Sequence, residues 1–130
     1  MLRYKGGPLR SLIAITIVGI ITFYAQGVFE EVYANRLRWG QVQPCPECIG
    51  LAAVLDCGRL GEQVLIKGPD GWEGPFLVVD CSNAAHLAQQ KKRRLIAEVD
   101  WETGQRWHMR APIAGDIRWW MAERPGGELE

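Results

Sequence analysis

The sequence predicts a small, mainly-β domain with short helices, set behind one apolar N-terminal segment. Three observations predict it: an uncharged apolar run near the start, a series of short β-branched stretches punctuated by Gly, Pro and Asp over 49–120, and four cysteines between residues 45 and 81. The chain has 130 residues, so it has room for one domain and is too short for a multidomain enzyme. Hydrophobic residues make up 48% of it and six are Trp, which excludes a disordered chain, because that much apolar surface can offset the entropy of ordering a small core. Lys plus Arg and Asp plus Glu both total 15, so the overall basic field that draws a protein to nucleic acid is absent. The balance is uneven along the chain. Residues 1–29 carry Arg3, Lys5 and Arg10 and no acid, which leaves 12 basic against 15 acidic side chains for residues 30–130.

The first element is the run LIAITIVGIITFYA, residues 12–25, which extends without charge to Val28 and Phe29. As a helix its about 18 residues would measure roughly 27 Å, close to the hydrocarbon thickness of a bilayer. Basic residues precede it and Glu30 and Glu31 follow, so the positive-inside bias puts Met1 in the cytoplasm and the body outside. A cleaved signal peptide is the other reading, with Val32-Tyr33-Ala34 as the cleavage pattern. Residues 1–29 are therefore expected to be a transmembrane anchor or signal segment, with the rest extracytoplasmic. Residues 30–48 are expected to form a helical stalk that stops at Gly40, then a Cys- and Pro-rich connector.

From residue 49 the pattern changes to that of strands, expected over 49–55, 63–67, 75–80, 95–99 and 116–120. Asp70-Gly71 supplies the turn between the second and third. Ser82 is expected to cap a short helix to about Gln90, and Asp100 a second one to about His108. Residues 122–130 read as a flexible tail, and no internal repeat or low-complexity tract is apparent. So many short strands in so few residues predict a closed barrel, because closure removes edges that a small sheet cannot otherwise protect.

Outside the cytoplasm thiols tend to be oxidised, so Cys45, Cys48, Cys57 and Cys81 are candidates for two disulfides. Two strand-like runs, GLAAVLD and GPFLVVD, end in Asp-Cys, which favours Cys57 with Cys81. Cys45 and Cys48 in CPEC remain open as a loop clip, a redox pair or half of a zinc site. No metal or other cofactor is expected.

The order GLAAVLDCGRLGEQVLIKG, GPFLVVDC, AEVDWETGQRW and IAGDIRWW resembles the double-psi β-barrel of the expansin, barwin and rare lipoprotein A families over 49–120. Leu60-Gly61-Glu62-Gln63-Val64 stands at the families' Leu-Gly-x-x-Val strand, Val78-Val79-Asp80 at Val-x-Val-x-Asp, and Asp100 at the Asp-Leu-Ser helix start, with Trp107 as its aromatic. The resemblance implies a six-stranded barrel and cell-envelope polysaccharide as partner. It implies Asp80 and Asp100 as the carboxylates flanking a glycan groove, Asp80 as acid and Asp100 as its partner. A carboxyl at an apolar strand end can be partly desolvated, which suits a general acid. The chain departs from the pattern in having Ala52-Ala53-Val54 where the enzymes carry Ala-Ala-His, Cys81-Ser82 in place of Gly-Pro, and no N-terminal Tyr-Gly strand. His86 could stand in for the missing His as proton carrier.

Each candidate has a plainer role. Asp80 also suits a turn, Asp100 a helix N-cap and His86 a solvated helix face. Trp72, Trp119 and Trp120 are candidate glycan platforms, because apolar sugar faces stack on exposed rings, and equally suit a protein or membrane surface. Lys91, Lys92, Arg93 and Arg94 form the one dense charge run, read as a solvated helix end or as a contact for an anionic wall polymer or lipid headgroup. The function expected is a membrane-tethered barrel that binds, and in lytic-transglycosylase fashion could cleave, envelope polysaccharide. The alternative is a non-enzymatic single-pass accessory subunit packing on other envelope proteins, and a third reading is a Cys-rich redox or metal protein.

Overall fold

Six strands close into one barrel in the order β1-β5-β2-β4-β3-β6, in a computed structural model that describes residues 15–120. In chain order they are β1 (Thr16–Phe23), α1 (Val28–Arg38), β2 (Gly50–Val54), a single 3-10 turn (Cys57–Arg59), β3 (Gln63–Gly68), β4 (Gly71–Cys81), α2 (Ala84–Lys92), β5 (Leu95–Val99), α3 (Trp101–Arg106) and β6 (Ile113–Trp119). The mainly-β barrel expected from the sequence is present.

The apolar N-terminal run is where sequence and structure part. TIVGIITF is a barrel strand, parallel to β5 on one side and antiparallel to β6 on the other. Its Thr, Ile and Val residues favour extended backbone, and a short apolar run looks alike in a buried strand and a buried helix. Gly19 fits the strand for a steric reason. It lies opposite Gly115, and a Cβ there would come within 2.5 Å of the Arg94 carbonyl oxygen and 2.6 Å of Ile96. Gly27, at φ 84°, then turns the chain into α1, so no helix runs through 12–29 as expected. Among the described residues no helix is long and apolar enough to cross a membrane. The expected anchor positions before residue 15, and the tail after 120, lie outside the described residues.

The barrel therefore begins with β1, ahead of residue 49, and cleavage after Ala34 would remove β1 and most of α1. The expected stalk is also corrected. Helix α1 folds back on the barrel, burying Phe29 against Leu77, Val79 and Ala53 on its outer face. Inside the barrel Ile21, Val64, Ile66, Phe76, Val78, Val99 and Ile117 form the main core, closed at one side by Trp107 and Met109.

The pairing map contains a repeat that the sequence hides. Moving each strand three places along the chain turns the parallel β1–β5 pair into β4–β2 and the antiparallel β1–β6 pair into β4–β3, while β2–β5 and β3–β6 map onto themselves. The chain is thus two copies of one β-helix-β-turn-β path, related by a pseudo-two-fold axis through the central β2–β5 pair.

Both disulfides are formed. Cys57–Cys81 joins the ends of the two Asp-Cys segments, as the sequence suggests, and Cys45–Cys48 is the short clip, packed beneath α1.

Candidate functional site

A cleft of about 590 Å³ opens on the outer face of the barrel, over the strands β4, β2, β5 and β1. Its floor is one row of residues across four strands: Asp80 pairs with Ala53, Ala53 with Glu98, and Glu98 with Thr22. A β-bulge makes this row. Ala52 pairs with Val78 but Ala53 with Asp80, so Val79 is the extra residue, and Asp80 turns outward beside Ala53 where an unbroken register would aim it at the barrel interior. Asp80 and Glu98 are two strands apart, roughly 9–10 Å between backbones. On the sheet the Ala53 methyl group lies between them, and above it the Tyr24 hydroxyl reaches both carboxyls.

Asp80 is held on three sides. Its Oδ1 accepts from Arg36 Nη2 at 3.1 Å and from the Cys81 backbone N–H at 2.9 Å, and its Oδ2 accepts from the Tyr24 hydroxyl at 3.1 Å. Arg36 is itself fixed from α1, donating from Nε to the Val79 carbonyl at 3.1 Å and from Nη1 to Gln41 at 2.8 Å. The Tyr24 ring stacks on Phe29, 4.0 Å between centroids, which ties the end of β1 to α1. Burial first, then the negative charges of Glu98 and Asp80, push the Tyr24 phenol well above its ordinary range. It keeps its proton and acts as a donor.

Glu98 is less well compensated. Its Oε2 accepts from Thr22 Oγ1 at 2.7 Å, and burial raises its carboxyl above the ordinary carboxylate value. The Asp80 charge pushes the same way, against the Thr22 hydrogen bond and the Arg93 charge, which pull it down. The cleft therefore holds an ion-paired Asp80 and, two strands away, a Glu98 carboxyl that burial raises above the ordinary carboxylate value.

Helix α2 forms one wall through Asn83, His86 and Gln90, whose spacing puts them on one face, and the Cys57–Cys81 bridge forms part of another. The cap of α2 is Asn83, not Ser82: its side chain accepts from the His86 N–H at 3.1 Å. His86 is exposed on the rim.

Of the residues singled out from sequence, Asp80 and His86 come together in this cleft and Asp100 does not. Asp100 is only 7% exposed and its oxygens are occupied: Oδ1 accepts from Thr103 Oγ1 at 2.8 Å and the Leu51 N–H at 3.1 Å, and Oδ2 from the Thr103 N–H at 3.3 Å. It caps α3 and anchors that helix to β2. The three Trp candidates also lie away from the cleft. Trp72 sits under the Arg118 guanidinium at 4.7 Å, Trp119 under Arg59 at 4.5 Å with its ring against the core, and Trp120 bonds through its backbone N–H to Gln63.

Tyr24, Arg36, Thr22 and Glu98 escaped the sequence reading. Glu98 had a signal, as the one charge in the strand LIAEV between two buried neighbours, Ala97 and Val99. Thr22 and Tyr24, two apart and so on one face of an extended segment, were hidden in the run read as a membrane helix. In comparisons with known proteins, no family model and no curated sequence matches the chain.

Proposed function

We propose that this protein is an extracytoplasmic double-psi β-barrel whose cleft binds cell-envelope polysaccharide and uses Glu98 as the proton carrier for cleaving it. The observation that carries the reading is the floor row, with Asp80 and Glu98 in one open polar cleft and the Tyr24 hydroxyl within reach of both. Two parallel strand pairs exchanged by a shift of three strands support the double-psi type. Two disulfides support an oxidising, extracytoplasmic location.

In this reading Asp80, Arg36 and Tyr24 form a fixed polar edge against which sugar hydroxyls bond. Protonated Glu98 donates to the glycosidic oxygen as the anomeric C–O bond breaks. A hydroxyl of the same sugar then attacks the anomeric carbon and returns its proton to Glu98, so one acid/base group serves both steps.

The test is a pull-down on isolated cell-wall sacculi that also measures soluble fragments released. Wild type is expected to bind and release. Glu98→Gln is expected to bind with release lowered about 10²–10⁴-fold, the usual share of a general acid. Asp80→Asn is expected to weaken binding. Release by Glu98→Gln at the wild-type rate would remove the catalytic assignment, and failure of the wild type to bind would remove the glycan reading and favour an accessory subunit. The exposed Ile15, Ile17 and Val18 at the start of β1 are the feature that favours that second reading, as an apolar patch suited to a protein partner.

A further inference from the structure

Helix α2 runs from the cleft into the densest charge cluster of the chain. Its inner face lends Asn83, His86 and Gln90 to the cleft wall, and Leu95, at the start of β5, lines the same wall. Between Gln90 and Leu95 lie Lys91, Lys92, Arg93 and Arg94, all four exposed. None forms an ion pair among the described residues, whereas Arg36, Arg59 and Arg106 each do. Arg93 is close enough for its charge to act on Glu98 in the cleft floor. At the helix C-terminus four exposed cations outside any ion pair among the described residues exceed what the dipole of a helix this short calls for.

We infer that the polysaccharide held in the cleft is anionic, and that Lys91, Lys92, Arg93 and Arg94 are the contact for its negative substituents. The inference rests on the glycan reading of the cleft and adds the charge class of the polymer. Neutral sugar rings would lie over Asp80, Ala53 and Glu98, where a second anion would be repelled. Phosphodiester or carboxylate groups would project past Gln90 to the basic run. A membrane surface fits this helix less well, because the exposed large hydrophobic residues among those described are all elsewhere, leaving α2 no apolar face to insert.

The experiment compares the full chain with a variant carrying K91Q, K92Q, R93Q and R94Q on four probes: sacculi with their phosphodiester polymer, sacculi stripped of it by acid, a neutral chitin-type oligosaccharide, and vesicles of anionic phospholipid. Exposed charges are screened as the Debye length falls from about 10 Å at 0.1 M salt toward about 3 Å at 1 M. Wild-type association with sacculi is therefore expected to weaken with salt. The variant is expected to bind roughly tenfold less tightly at low salt, with a flatter salt dependence, and to bind the neutral oligosaccharide like wild type. Loss of the difference on stripping assigns the charge to phosphodiesters, and its persistence assigns it to carboxylates of the remaining wall. Equal binding by the two chains, or salt-independent binding, would overturn the inference while binding to the neutral oligosaccharide kept the cleft reading alive. Stronger, variant-sensitive binding to vesicles of anionic phospholipid would overturn it in favour of a membrane surface. No binding to any glycan would sink both.

Discussion

The two halves of the barrel share one pairing scheme and differ in what they lay over it. In the first half α1 closes on the outer sheet, with Phe29 fully buried and Val32 and Tyr33 packed beside it. In the second half the equivalent helix, α2, places no large residue in either buried cluster and stands beside the sheet, and the cleft opens next to it. The turns after the central strands differ in the same way. Asp56 caps a single 3-10 turn with one bond, accepted from the Gly58 N–H at 2.8 Å, whereas Asp100 accepts two buried bonds from Thr103 in α3 and a third from the Leu51 N–H in β2. Backbone pairing sets the fold twice over. Helix packing, done tightly once and loosely once, makes the site.

Three measurements would break or sharpen this contrast. The largest effect is expected at the closed helix: Phe29→Ala should cost about 3–5 kcal/mol by leaving a cavity under α1, whereas Leu87→Ala on half-exposed α2 should cost about 1 kcal/mol or less. Urea unfolding of the two variants measures the difference, and equal losses would mean that α2 is as firmly seated as α1. Next come the caps. Asp100→Ala strips a partner from the half-buried Leu51 N–H and the buried Thr103 N–H and should cost about 2–3 kcal/mol, against about 0.5–1 kcal/mol for Asp56→Ala in thermal melts.

The smallest effect concerns Glu98, which the half-exchange relates to Ala53 across the β2–β5 pair. Its carboxyl is raised from an ordinary 4.5, so the folded chain keeps a proton that the unfolded chain gives up. Stability from this group is therefore present below the unfolded value and is lost as pH rises through the folded one. Glu98→Gln should remove that decline, so its melting temperature should gain on wild type as pH rises from about 4 to about 7. A constant gap across that range would mean that the cleft floor is as wet as the surface.

The strands from residue 50 onward, the Cys57–Cys81 bridge and the Asp100 cap were legible in the sequence because each is local: alternation, an Asp before a helix, two matching strand ends. The first strand was not, because TIVGIITF owes its extended form to β5 and β6, far away in the chain, while its own apolarity fits a membrane helix equally well. Losing β1 also lost Thr22 and Tyr24, and with them the sense of Glu98 as their neighbour. Asp80 was found from its strand-end position. The bulge that turns it outward depends on register against β2, which periodicity alone does not specify.

β1 is the earliest of the described strands in the chain, and both its partners are late ones. Its two neighbours are β5 and β6, and Thr16 pairs with Arg118 almost at the other end of the described chain. Closure thus waits for nearly the whole polypeptide, and topologies dominated by such distant partners fold slowly. A nascent chain in this condition carries β1 as an unpaired apolar ribbon until β5 and β6 have been synthesised.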